Sequence, residues 1–241
     1  MDVAEYTRRN TMTPKQIPFE LSYPSAFAEE DFLIAPPNEE AVMWVDRWPD
    51  WPAPLLVLYG KQGCGKTHLS HIWQKRSDAG IISNENDLER ALDTCISGHQ
   101  KAFILEDVND DSLTASFQET LFHLYNLLKE KNGALLITTN DHPKKWALSL
   151  SDLRSRILSC PAIQIRQPDD QMLTVLLVKQ FDDRQIEIAP DVVKYLLPRI
   201  ERSFTGVHQV VRMIDQLSLS EKRPCTVPLA RQALLNLKEV S

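Results

Sequence analysis

The octapeptide Gly60-Lys61-Gln62-Gly63-Cys64-Gly65-Lys66-Thr67 constrains this chain most, because it follows the apolar run Leu55-Leu56-Val57-Leu58-Tyr59 and opens a helical stretch. Strand, glycine-rich loop and helix in that order build a cradle for phosphate. Glycines let several backbone N–H groups converge on one point and let the chain approach the oxygens closely. The positive end of the following helix faces the same anion. Gly60, Gly63, Cys64 and Gly65 form the loop, Lys66 reaches the terminal phosphates and the Thr67 hydroxyl ligates Mg²⁺. The ligand expected is a nucleotide.

The run before the loop is apolar at every position, as expected of a strand covered on both faces in a parallel sheet. Further candidate strands are Gly80 to Ser83, Ala102 to Leu105, Ala134 to Thr138 and Ala162 to Ile165. Between them lie a helix starting at the loop, one over Asp87 to Cys95, and a longer one over Leu113 to Lys131 with Phe117, Leu121, Leu124 and Leu128 at helical spacing. Strands alternating with helices indicate a three-layer α/β domain. Phe103-Ile104-Leu105 ends in Glu106-Asp107, a second acidic element of the kind that holds Mg²⁺ and orients water. Alone, the pair reads equally as exposed carboxylates at a strand end.

After Gln167-Pro168 the strand signals stop. Asp169 to Phe181, Pro190 to Leu197 and Gly206 to Leu219 carry helical periodicity, with Val207, Val210, Val211, Ile214 and Leu217 on one face. The expected organisation is an extended tail over 1–25, an α/β base over 26–166 and an all-helical lid over 167–241. In the base, Glu39 to Val45 reads as a helix ended by prolines. Trp44, Trp48 and Trp51 read as packing between that helix and the sheet.

The net charge of −6 argues against broad binding to a phosphate backbone. Cys64, Cys95, Cys160 and Cys225 are widely spaced without a CxxC pair, and read as reduced thiols. His68 and His71, in the helix after the loop, lack clustered acidic or cysteine partners for a metal and by themselves read as structural. No apolar run spans a bilayer and the first ten residues are polar, so a cytoplasmic protein without a membrane partner is expected.

These motifs resemble the AAA+ ATPases related to the bacterial replication initiator DnaA, and within them the shorter Hda regulators. Gly63-Cys64-Gly65-Lys66-Thr67-His68-Leu69 is similar to the GxGKTHL form favoured there, which brings His68 to the nucleotide. Asp31 to Asn38 resembles the segment that lies against adenine, which implies Leu33, Ile34 and Asn38 near the base. Leu136-Ile137-Thr138-Thr139-Asn140 resembles the sensor-1 strand end, so Asn140 would feel the terminal phosphate. By itself Asn140 reads equally as a loop-capping residue. Asp152-Leu153-Arg154-Ser155-Arg156 looks like box VII, whose last arginine is offered to a neighbouring subunit's nucleotide, making Arg156 the arginine finger. Without the resemblance, Arg154 and Arg156 read as solvated charges.

The chain departs from that pattern at three places. Glu106-Asp107 stands where an Asp usually comes first. Val207-His208-Gln209 stands where sensor 2 would offer an arginine, which leaves His208, or Arg212 one turn later, as substitute. Box VII continues Ile157-Leu158-Ser159-Cys160 without the usual aromatic and glycine. The first two touch the chain's own hydrolysis and spare a finger that acts on a partner.

Gln16-Ile17-Pro18-Phe19-Glu20-Leu21 resembles the peptide by which partners dock on the bacterial DNA polymerase III β sliding clamp. Phe19 and Leu21 would fill an apolar pocket while Gln16 bonds at its rim. Alone, the pattern reads as Phe19 packing back on the domain. The resemblance therefore implies an Hda-like regulator of replication initiation. It would hold ADP or ATP with Mg²⁺, ADP being the expected form, and reach DNA only through the clamp. It would stimulate ATP hydrolysis by DnaA, with slow or absent turnover of its own, and homo-oligomers fall within the pattern. A self-sufficient AAA+ ATPase such as a helicase loader, and a DNA-binding initiator paralogue, are the alternatives.

Overall fold

A computed structural model describes residues 33–240. Five strands, β1 Leu55–Tyr59, β2 Gly80–Ile82, β3 Ala102–Val108, β4 Ala134–Thr139 and β5 Ala162–Gln164, form a parallel sheet in the order β2-β3-β4-β1-β5. Side chains alternate across a strand, and both faces here are apolar. Leu55 and Val57 of β1, Phe103 and Leu105 of β3 and Leu135 and Ile137 of β4 enter one core. Leu56, Leu58, Ile104 and Leu136 enter the opposite one.

The first core is closed by α3 Glu85–Ile96, α4 Ala115–Glu130 and α5 Ser151–Ser159. The second is closed by α1 Glu39–Asp46 and α2 Lys66–Ser77. The result is the three-layer α/β architecture expected. Each fully buried leucine or phenylalanine contributes roughly 1.5–3 kcal/mol, so two continuous cores hold the strand ends in fixed register. The tryptophans pack as expected with one addition, Trp73 of α2. Trp51 stacks on it at 5.2 Å, and Trp48 meets it edge-on at 6.0 Å.

Beyond β5 the described chain is helical: α6 Asp170–Asp182, α7 Pro190–Leu196, α8 Phe204–Glu221 and α9 Val227–Val240. Their apolar faces form a third core of Leu173, Leu177, Phe181, Leu196, Val207, Val210, Val211 and Ile214. Asp169 and Ser203 cap α6 and α8 by accepting from the backbone N–H of Met172 and Gly206, each such cap contributing about 1 kcal/mol.

Two helices carry no sequence period of their own, although the second falls within the stretch expected to be an all-helical lid. α5 buries only Leu153 and Ile157 in nine residues, too few for a visible period. α9 carries Pro228 in its first turn, where a missing N–H costs nothing, and buries the small Ala230 and Ala233 beside Leu229.

Candidate nucleotide-binding site

Strand order decides what can meet at the carboxyl edge of the sheet. β4 lies between β1 and β3, with Thr139 in register with both Tyr59 and Val108. The loop after β1, the end of β3 and Asn140 after β4 therefore meet at one edge of the sheet, the usual ligand position of an open parallel sheet.

Lys66, the first residue of α2, is 5% exposed. Its ammonium donates to Gly60 O at 2.7 Å, Lys61 O at 3.3 Å and Asn140 Oδ1 at 3.0 Å. Gly63 and Gly65 have φ of +75° and +105°. A Cβ on Gly63 would stand 2.4 Å from Ser203 Cβ, and one on Gly65 would stand 3.3 Å from the Phe204 ring. Both glycines thus leave room for the lid, and Phe204 N donates to Gly63 O at 3.0 Å. Cys64, expected as a loop residue, has its side chain buried in the core under α2, and its N–H donates to Lys61 O at 3.2 Å. Burial pushes its thiol above the ordinary range, against the pull of Lys66.

The acidic pair is split by a bulge. The β3–β4 register shifts between Leu105 and Val108, and Asp107 takes a left-handed φ of +51°. Glu106 turns to α2, where its Oε1 accepts from Ser70 Oγ at 2.8 Å and lies 3.9 Å from His71 Nε2. Asp107 lines the cleft, its N–H donating to Thr138 Oγ1 at 3.0 Å. Mg²⁺ is commonly held by one or two carboxylates together with phosphate oxygens, and the donor set of Thr67 and Asp107 in one cleft fits that requirement.

The cleft has a volume of about 600 Å³ between loop and lid. On the loop side it is lined by Gly63, Gly65, Lys66, Thr67, His68 and Asp107; from the lid come Leu176, Lys179, Gln180, Asp183, Arg184, Phe204, Thr205 and His208. His208 thus reaches the cleft, whereas Arg212 is not among its lining residues. Lys179 and Arg184 were not singled out from sequence, because helical periodicity marks the buried face of α6 and says nothing of what its polar face opposes.

Leu33, Ile34 and Asn38 lie apart from the cleft lining. Leu33 packs into the lid core and Ile34 against the core under α2. The Asn38 amide donates to Leu33 O, and its oxygen accepts from Ala35 N, both at 2.8 Å. Its side chain is thus committed to folding the segment that runs between base and lid.

Arg156 lies on α5 and is not among the residues lining the chain's own cleft. It is partly exposed, its guanidinium 5.9 Å from the centre of the Tyr125 ring on α4. Arg154 is exposed and has no side-chain hydrogen bond or ion pair among the described residues. Cys160 Sγ donates to Arg156 O at 3.1 Å, and burial with the neighbouring Cys160 pushes the Tyr125 hydroxyl up to about 12. Gln16, Ile17, Pro18, Phe19 and Leu21 lie outside the described residues.

Residues 169–234 match the family described as "Hda, lid domain". The fold is similar to domain III of the DnaA replication initiation protein of Thermotoga maritima, with a TM-score of 0.70, 17% identity, and 86% of this chain and 95% of that one covered. It is also similar to AMPPCP-bound DnaA of Aquifex aeolicus (TM-score 0.64, 20% identity, 81% and 66% covered). A point mutant of RuvB from Thermotoga maritima gives a TM-score of 0.66 at 13% identity, with 85% and 70% covered. The fold is that of an AAA+ domain with a helical lid.

Proposed function

We propose that this chain, an Hda-type AAA+ protein related to DnaA, is a cytoplasmic regulator that lends an arginine to ATP held by DnaA and so returns the initiator to its ADP form. The observation that carries this reading is the position of Arg156, partly exposed on α5, seated on Tyr125 and outside the chain's own cleft. An arginine there suits a neighbour's nucleotide better than its own. A guanidinium placed beside a transferring phosphoryl group offsets its developing charge and accelerates hydrolysis by ~10³-fold or more.

In this reading the cleft holds a nucleotide, with ADP as the resident form. The loop amides and Lys66 bind its phosphates, and Thr67 and Asp107 supply oxygens for Mg²⁺, whose chemistry is to neutralise phosphate charge. In the same reading Asn140, bonded to Lys66 at 3.0 Å, is the residue that senses the terminal phosphate. The segment from Gln16 to Leu21 docks on the DNA-loaded sliding clamp and raises the local concentration of the finger near DnaA.

The test is phosphate release from ATP-loaded DnaA with DNA-loaded clamp and this protein, comparing wild type with Arg156→Ala and with Gln16→Ala/Phe19→Ala. Acceleration by wild type alone is expected; no acceleration by wild type would sink the reading. A second reading, a self-sufficient ATPase, draws on Asp107 facing the cleft with Lys66 and Thr67. It requires steady-state turnover by the purified chain that Lys66→Ala abolishes.

A further inference from the structure

The lid carries a second groove, between α7 and α9. It has a volume of about 420 Å³ and is lined by Tyr195, Arg199, Arg231, Leu234 and Leu235, none of which lines the nucleotide cleft. Tyr195 and Leu234 rest on the lid core, and Leu235 is 56% exposed. An apolar floor left open to water is stabilised by any apolar side chain that covers it.

The two arginines flank that floor in different states. Arg199 Nη1 donates to Tyr195 O at 2.9 Å, and its guanidinium lies 4.2 Å from the centre of the Tyr195 ring. It is a fixed wall. Arg231, exposed on α9, has no side-chain hydrogen bond or ion pair among the described residues, in a chain where 33 acidic residues face 27 basic ones. The groove therefore suits apolar side chains beside one carboxylate.

The described chain begins at Leu33, which is buried in the same lid core. Upstream of it, Phe19-Glu20-Leu21 sets two large apolar side chains on either side of one carboxylate. In an extended segment side chains alternate, so Phe19 and Leu21 face a floor together while Glu20 stays at the rim, within reach of Arg231. The stretch from Phe19 to Leu33 spans up to roughly 45 Å when extended, against a diameter of about 30 Å for a unit of the lid's size.

We infer that Phe19-Glu20-Leu21 of the same chain occupies this groove, with Phe19 and Leu21 on Tyr195, Leu234 and Leu235 and with Glu20 paired to Arg231. On the proposed function the same side chains serve the sliding clamp. Lid and clamp then compete for one segment, and the clamp must draw it from the groove.

The test is disulfide trapping in the full chain. Leu21→Cys/Leu235→Cys is oxidised and mapped by mass spectrometry beside Leu21→Cys/Leu219→Cys, whose second position is 72% exposed on α8 and outside the groove. The four native cysteines are buried, and a melting curve of each reduced variant checks folding. An intrachain bond at position 235 is expected in clear excess over position 219. Adding Phe19→Ala or Arg231→Glu should lower its yield, the charge reversal by about two- to fivefold, and Glu20→Lys with Arg231→Glu should restore it. Equal yields at the two positions, or bonds only between chains, overturn the inference. A yield that ignores both Phe19→Ala and Arg231→Glu overturns it as well.

In a second arm wild type and Arg231→Glu are titrated with isolated sliding clamp. Arg231→Glu is expected to bind about two- to fivefold more tightly, and clamp should lower the trapped yield; equal binding by the two overturns the competition. If wild type does not bind clamp, the proposed function loses its tether, while the trapping yields still decide the groove.

Discussion

Lys66 Nζ and Asn140 Oδ1 stand 3.0 Å apart although 74 positions separate them in the chain. The contact joins the loop after β1 to the end of β4, its neighbour in the sheet, and makes the amide of Asn140 one of three acceptors for a buried ammonium. Removing the ammonium should abolish ADP binding in Lys66→Ala. Asn140→Ala removes one acceptor of a charged group, an effect of about 1.5–3 kcal/mol. It is expected to weaken ATP binding roughly tenfold or more and ADP binding less, as read by titration with each nucleotide.

Arg156 should be separable from the chain's own ligand. On the proposed function, Arg156→Ala is expected to leave ADP affinity within about twofold, since it lies outside the cleft, while the proposed stimulation of DnaA falls by ~10³-fold. Tyr125→Phe keeps the ring beneath the guanidinium and should stay near wild type in the same assay. Tyr125→Leu removes a cation–π contact of roughly 0.5–1 kcal/mol and should lower stimulation about two- to fivefold at unchanged ADP affinity.

Gly63→Ala tests the seat of the lid. The added Cβ meets Ser203 Cβ at 2.4 Å in a backbone with φ of +75°. A loss of ~1–2 kcal/mol and a fall in melting temperature of roughly 3–6 °C are expected, with faster amide hydrogen exchange in the first turn of α8. Unchanged exchange there would show that the lid does not rest on the loop.

Asp46 gives a pH dependence with a definite sign. Its carboxyl is raised from 3.8 to about 6 by burial, against the opposing pull of Arg76, and its Oδ1 is buried without a hydrogen-bond partner. The folded state therefore prefers the neutral acid. Its contribution to stability is fully present below pH 3.8 and is lost as pH rises through about 6. Asp46→Asn, neutral throughout, should melt higher than wild type at pH 8 and show little gain at pH 4. A gain of equal size at both pH values would refute the assignment.

The parts legible in the sequence are those encoded by neighbours along the chain. Glycine spacing with a lysine and a threonine at the head of a helix marks the loop; apolar runs mark strands buried on both faces; a 3.6-residue period marks α4, α6 and α8. Each depends on local backbone geometry and on the sidedness of burial, so a one-dimensional pattern suffices. Tertiary structure decided the rest, because side-chain meetings follow strand order and helix placement, which no local period records. The order β2-β3-β4-β1-β5 brings Asn140 to Lys66, the bulge in β3 turns Asp107 into the cleft and Glu106 toward Ser70, and the packing of α4 on α5 puts Tyr125 under Arg156. Arg184 and Lys179 look like any solvated charges until the lid lies across the loop and makes their face a wall.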